Sequence, residues 1–399
     1  MDGSRVWARP LSLRPYAGDG LQELQLFRNG PLCDCGAALS GVKSPYMENL
    51  YLPEKLQELK NAFAIEGELC DAVILSGGIV NDTYRADIEY RGEVKSYVFQ
   101  RVSSYVYRRP DAIMSNIAEV QGWLSARGVS LLPRYLELPG GGNFYTDADG
   151  EHWRIMNYIR SVCFAGVPAD LKRQGYDPKL SSKIISGAGK AYGTFSRELS
   201  GMDPSRLLET VPDFHNTPRR IASMLRLAEE LGVQAEETEF IRSVSDKASE
   251  IYRCYEAGLL KRGIVHNDTK LSNVLFGRES LEPLAVIDLD TMMPGLLIYD
   301  FADCARSACK AFGPRGIYFS EENYRVLEDA YLSEAEDVLS SREKDSLRLA
   351  VYSISVELAA RYLEDHMRGD RYFKTSYPGQ NLDKARELIR YVQTMDFGD

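Results

Sequence analysis

Apolar positions along this chain recur first at the spacing of strands and then, beyond about residue 160, at the spacing of helices. The segment 52–63 places Leu56, Leu59 and Phe63 at helical intervals behind Pro53, which predicts a short amphipathic helix. Strand-like runs follow at 72–75, 83–90 and 94–102, the last two joined by a turn at Arg91-Gly92. Pro110 opens a helix in which Ile113, Ile117, Val120 and Leu124 form one apolar stripe. Two more strands are expected at 134–138 and 153–159, on either side of a turn at Asp147-Ala148-Asp149-Gly150.

From Ser161 onward the pattern predicts helices over 181–199, 218–231, 236–256, 321–339, 346–367 and 382–395. Two short strands, near 274–276 and 284–287, interrupt them. Residues 1–46 are rich in Gly, Pro and Arg without a sustained period, so a poorly ordered extension is expected there, with Met47 as an alternative start. The chain therefore reads as an α+β protein of two lobes. A small antiparallel-sheet lobe is expected over 47–160, and a large, mainly helical lobe over 161–399.

Composition narrows what such a protein does. With 399 residues and 44% hydrophobic content it can bury a core in each lobe. A net charge of −10 and a pI near 5.2 argue against nucleic acid as a main partner, since that binding depends on neutralising phosphates. No run of 18 apolar residues exists and no signal-peptide order is seen at the amino terminus, so a cytoplasmic protein without a membrane partner is expected. The seven Cys residues are scattered without paired C-x-x-C units, which favours reduced thiols over a zinc site.

The chemistry is concentrated in one stretch. Gly263-Ile264-Val265-His266-Asn267-Asp268-Thr269-Lys270-Leu271-Ser272-Asn273 has the form H-x-D-x-K-x-x-N, and Ala285-Val286-Ile287-Asp288 delivers a further carboxylate at the end of an apolar strand. Phosphoryl transfer needs a base aimed at the nucleophile, a metal bridging phosphates and a cation on the transferring oxygens. Asp268 suits the base and Lys270 the cation, while Asn273 and Asp288 suit Mg²⁺ on ATP. With four His residues in the chain, coincidence for the first motif alone is on the order of one in a hundred.

At this point the chain resembles the aminoglycoside phosphotransferase-like kinases, and within them the N-acetylhexosamine 1-kinase group. The segments that carry the resemblance are Gly77-Gly78-Ile79-Val80-Asn81-Asp82-Thr83-Tyr84, Phe99-Gln100-Arg101, Pro212-Asp213-Phe214-His215-Asn216-Thr217-Pro218 and Asp288-Leu289-Asp290-Thr291-Met292-Met293-Pro294-Gly295 with Tyr299-Asp300-Phe301-Ala302-Asp303. Gly369-Asp370-Arg371-Tyr372-Phe373-Lys374 adds a similar tail. The resemblance implies a protein-kinase-like fold and ATP-dependent phosphorylation of a sugar at its anomeric hydroxyl. Aminoglycosides, other sugars, choline-like alcohols and homoserine are alternative acceptors, and the oligomeric state is left open.

The remaining candidates follow from that frame. Gly77-Gly78 between two strands lets a backbone approach phosphates, with Asn81 and Thr83 adding hydrogen bonds. The third strand lacks the lysine usual in kinases. Alternation lets either Gln100 or Arg101 face the phosphates, and Arg101 is chosen because a permanent cation suits a triphosphate, with Glu119 as the available helix acid. Asn157 and Ile159 fall where hinge backbone groups would read adenine. Asp290, Arg306 and His215 are candidates for substrate contact, although Arg306 also suits bracing and His215 a helix start. Asp300 and His266 are expected to hold the catalytic loop. A nucleotide-binding module without catalysis is motivated by the missing lysine, and a protein kinase is disfavoured because no Ala-Pro-Glu segment follows Asp288.

Overall fold

The computed structural model describes residues 52–77, 81–103, 107, 109–373 and 375–397. The expected extension over 1–46, Met47 and Gly78 lie outside the described residues. Helix Leu52–Ala62 forms as its periodicity predicts and buries Leu52, Leu56 and Leu59. These side chains meet one face of a five-stranded antiparallel sheet, with strands β1 (Glu68–Gly77), β2 (Asp82–Tyr90), β3 (Glu93–Val102), β4 (Tyr145–Thr146) and β5 (His152–Asn157) in the order β1-β2-β3-β5-β4. Alternation puts Tyr84, Ala86 and Ile88 of β2, Phe99 of β3, and Trp153 and Ile155 of β5 into that core. Each large apolar side chain so buried contributes roughly 1.5–3 kcal/mol.

The register is continuous across three strands: Thr83 faces Gln100, which faces Arg154, while the neighbouring row is Asp82, Arg101 and Trp153. The strand expected over 134–138 is reduced to a single bridge, Tyr135 to Met156, flanked by Leu136 N–H donating to the Ile155 carbonyl. Pro133 on one side and Pro139 with three glycines on the other leave too short a run for a ladder.

Backbone proximity divides the chain into two units. One contains the described residues up to 107 together with Arg134–Tyr158; the other contains Arg109–Pro133 and Ile159–Asp399. Helix Pro110–Ser125, expected in the amino-terminal lobe, thus belongs with the second unit. There Asn116 donates to the carbonyls of Leu208 and Met292, and Trp123 donates to that of Glu198.

The second unit is mostly helical. Helices Ser181–Leu199 and Glu321–Ala335 approach so closely that a Cβ on Gly193 would stand 2.6 Å from the Tyr331 carbonyl oxygen. Helix Leu347–Met367 runs through the unit and is buried over most of its length. The helix expected over 236–256 is two helices, Glu236–Ala248 and Glu250–Glu256, separated at Ser249. Three two-stranded ladders complete the unit: β6 (Arg262–Val265) with β9 (Met293–Leu296), β7 (Val274–Phe276) with β8 (Pro283–Val286), and β10 (Lys310–Gly313) with β11 (Gly316–Phe319). Among the described residues no helix is long and apolar enough to cross a membrane.

Candidate active site

The β6–β9 and β7–β8 ladders bring the two motifs together. Val265 pairs with Met293 and Val274 with Val286, and the Ile287 N–H donates to the Asn273 carbonyl at 2.9 Å. The loop between β6 and β7 and the segment after β8 are therefore held side by side. Asn267 and Asp288 both take left-handed backbone conformations, with φ of 65° and 67°. Non-glycine residues pay for that conformation, and such strain persists only where surrounding contacts impose it.

Those contacts are visible for the loop. The Asp300 carboxylate accepts the N–H groups of His266 and Asn267, each at 2.8 Å, and the Thr269 hydroxyl donates to the Asp300 carbonyl at 2.5 Å. His266 is buried edge-on to Tyr192 and Phe195; its Nε2 meets the Ile287 carbonyl at 2.8 Å, and its Nδ1 accepts the Asp268 N–H at 3.3 Å. The Asn267 side chain donates to the Thr291 carbonyl. Asp300 and His266 thus hold the loop, and burial pushes the Asp300 carboxyl up to about 6 despite those two N–H donors.

The reactive groups stand at the open side of this frame. Lys270 Nζ lies 2.6 Å from Asp268 Oδ2 and 3.6 Å from Asp288 Oδ2. About a quarter of each of these three side chains remains exposed (24–29%), whereas the loop residues behind them are buried. Burial works against charge on Asp268, but the Lys270 ammonium outweighs it and holds this carboxyl below its ordinary value. At Asp288 burial dominates, and with the neighbouring charges of Asp268 and Asp290 it raises the carboxyl despite Lys270. Burial tends to lower Lys270, but Asp268 and Asp288 together hold it well above the ordinary lysine value.

Asn273 donates to the Asp268 carbonyl at 2.8 Å and to Asp268 Oδ2 at 3.2 Å, while its own Oδ1 is buried and meets no hydrogen-bond donor among the described residues. A buried amide oxygen left without a donor costs free energy unless something electropositive meets it. Together with Asp288 it offers the oxygen ligands that a hard divalent cation takes, so the residues fit Mg²⁺.

The substrate candidates are placed differently from one another. Asp290 is only 1% exposed, within the short helical turn Leu289–Thr291. Arg306 gives Nε and Nη2 to Asp303 Oδ1 at 2.9 and 2.7 Å, and its charge adds to the lowering of Asp268. It also lines a cavity of about 50 Å³ with Lys310, Tyr362, Lys384 and Glu387. Asn216 caps helix Thr217–Leu231 by accepting the Arg219 N–H. His215, just before it, sits between Glu357 and the Asn267 carbonyl.

One neighbouring group escaped sequence reasoning. The Arg361 guanidinium lies 5.5–5.9 Å from the ring centres of Phe214, Tyr372 and Phe373. Asp365 fixes two of those rings by accepting the N–H groups of Arg371, Tyr372 and Phe373. Tyr372 remains 61% exposed. The available signal was Glu357 and Arg361 at i and i+4 in the stretch 349–363 of a helix, which carries no other charge.

In the first unit, Gly77 ends β1 opposite Asp82. Asn81 accepts the Ser103 N–H, and Thr83 accepts from the Gln100 amide at 2.9 Å. Arg101 lies in the row of Asp82 and Trp153, on the face of the apolar core, and its guanidinium binds Asp82 at 2.6 Å and Glu151 at 2.9 Å. Its charge is met by two carboxylates. Glu119 belongs to the second unit, where it pairs with Arg206. Gln100 occupies the opposite face, where its carbonyl accepts both Nε and Nη2 of the buried Arg154. The Asn157 side chain accepts the Arg134 N–H, and the Ile159 carbonyl accepts from Ser161.

Residues 71–333 match the phosphotransferase enzyme family. Among solved structures, the chain is similar to an amicoumacin kinase in complex with AMP-PNP and Ca²⁺, at a TM-score of 0.60 and 12% identity over 86% of this chain and 96% of that one. A microcompartment-associated aminopropanol kinase gives a TM-score of 0.57 and 17% identity over 85% and 96%. A spectinomycin phosphotransferase with ADP and spectinomycin gives 0.53 and 14% over 86% and 98%. At these identities the likeness concerns the fold, which is kinase-like: an antiparallel-sheet lobe and a helical lobe.

Proposed function

Because the chain belongs to the phosphotransferase enzyme family and is a small-molecule phosphotransferase, we propose that it transfers the γ-phosphoryl group of ATP to the anomeric hydroxyl of an N-acetylated hexosamine. In this reading Asp268 takes the proton of the acceptor hydroxyl as that oxygen bonds to the γ-phosphorus. The bond to the bridging oxygen breaks, and ADP leaves with the electron pair. Lys270 lies within reach of both Asp268 and Asp288, where its charge offsets that of the transferring oxygens. Mg²⁺ held by Asn273 and Asp288 would neutralise phosphate charge. The observation that carries the reaction type is the cluster of Asp268, Lys270, Asn273 and Asp288, with the buried Asn273 oxygen inside it, which meets no donor among the described residues.

Nucleotide contacts are assigned to Gly77, Gly78, Asn81 and Thr83 at the β1–β2 turn and to the backbone at Asn157 and Ile159. Arg101 is assigned to the same turn through its pair with Asp82. For the acceptor, the rings of Phe214, Tyr372 and Phe373 suit the apolar face of a pyranose, and Arg361 supplies donors for a carbonyl.

The test is a panel of sugars and amino alcohols incubated with ATP and Mg²⁺ and scored by ADP release. N-acetylglucosamine or N-acetylgalactosamine should be turned over, whereas its methyl glycoside, with the anomeric oxygen capped, should be inert. Equal phosphorylation of the methyl glycoside would move the reaction to another hydroxyl.

A further inference from the structure

The peptide bond between Asn267 and Asp268 is gripped on both edges. Its N–H donates to His266 Nδ1 at 3.3 Å, and its carbonyl faces His215 Nε2 at 3.4 Å. His266 belongs to the loop itself. His215 comes from the segment before helix Thr217–Leu231, 52 residues earlier in the chain.

His215 is itself held from behind. Its Nδ1 lies 3.3 Å from Glu357 Oε1, and its ring packs between Phe214 and Tyr299 at centroid distances of 4.6 and 5.2 Å. Glu357 is 1% exposed, and its second oxygen accepts the Thr217 hydroxyl at 2.7 Å. The charges of His215 and Arg361 lower the Glu357 carboxyl in spite of its burial. Both ring nitrogens of His215 therefore face acceptors, a carboxylate on one side and a backbone carbonyl on the other. A buried carboxylate in the middle of helix Leu347–Met367 is costly on its own, and the two donors from the Thr217 segment offset that cost.

We infer that His215 is a positioning residue for the base: oriented by Glu357, it fixes the peptide plane from which the Asp268 side chain departs. This extends the phosphotransfer reading of the same site and differs from substrate contact, the role first expected of His215. The distinction is physical. A substrate contact on His215 would bind acceptor in the ground state, whereas a clamp on the Asn267 carbonyl affects only how well Asp268 meets the attacking hydroxyl.

The experiment compares His215→Phe, which keeps a ring but no donor, with His215→Gln, which keeps one donor, and with Glu357→Gln. For each variant the kinetics of ADP release are measured with the acceptor that the wild-type enzyme uses. The expected result for His215→Phe is a kcat lower by about ten- to a hundredfold, in keeping with loss of one hydrogen bond to a buried group, with little change in KM for either substrate. His215→Gln should recover part of that loss, and Glu357→Gln should resemble His215→Phe. A second arm does not depend on turnover: amide hydrogen exchange of peptides covering 263–273, read by mass spectrometry, should be faster in His215→Phe and Glu357→Gln than in the wild type. An unchanged kcat, or a raised acceptor KM at constant kcat, would overturn the inference, and so would unchanged exchange in this segment. If no acceptor is phosphorylated by the wild type, the substrate reading fails while the exchange arm still decides the role of His215.

Discussion

Replacing Asp300 by Asn should remove a pH-dependent term from the stability of the protein. The carboxyl is 1% exposed, and its value is raised from 3.8 to about 6 by burial, even though two backbone N–H groups favour its charged form. A carboxyl raised in the folded state keeps its proton to higher pH than in the unfolded chain. Its contribution is therefore fully present below about pH 4, in the unfolded range, and is lost as pH rises through about 6. Two pH units at about 1.4 kcal/mol each give roughly 3 kcal/mol. Urea unfolding of the wild type and Asp300→Asn at intervals from pH 4 to 8 isolates this term, because other titrations cancel in the difference. The wild-type advantage over the variant should shrink by roughly 3 kcal/mol between pH 4 and 7 and then level off. A difference that stays flat, or grows with pH, would refute the argument that burial dominates at this carboxylate.

Arg101→Ala should lower the stability of the sheet unit by about 1–3 kcal/mol, because Asp82 and Glu151 would lose the cation they share in a partly buried setting. Thermal melting checks this; an unchanged melt would mean that the pairs with Asp82 and Glu151 add nothing to the stability of the sheet. Gly193→Ala should cost about 1–3 kcal/mol by forcing helices Ser181–Leu199 and Glu321–Ala335 apart, since the added Cβ would meet the Tyr331 carbonyl oxygen at 2.6 Å. A variant that melts like the wild type would mean that the two helices separate freely.

Much of the architecture follows from periodicity, for identifiable reasons. Helix Ser181–Leu199 and strands β2 and β3 are long enough for their apolar spacing to declare them. The four-residue strands β6, β9, β10 and β11 are too short for that; β6 also depends on a partner beyond the β7–β8 ladder, whereas β10 and β11 form a local hairpin. Helix Pro110–Ser125 was legible as a helix, but its attachment was not: Asn116 and Trp123 settle it through carbonyls of Leu208, Met292 and Glu198, which no local pattern encodes. At the site, Asp268, Lys270, Asn273 and Asp288 could be found because the chemistry demands their order and spacing. Alternation correctly set Arg101 and Gln100 on opposite faces, but the face of the core is fixed by helix Leu52–Ala62 packing on Phe99 and Trp153. Glu357 and Arg361 stayed hidden because their partners, His215 and the rings of Phe214, Tyr372 and Phe373, assemble only in three dimensions.

The role of Asp268 as base is tested most directly by Asp268→Asn, assayed for turnover and, separately, for ATP binding by calorimetry. The amide keeps the size of the side chain but cannot take the acceptor proton. Turnover should fall about 10²- to 10⁴-fold while ATP affinity stays within a few-fold of the wild type. Turnover close to that of the wild type would contradict the account, and so would a loss of activity explained entirely by loss of ATP binding.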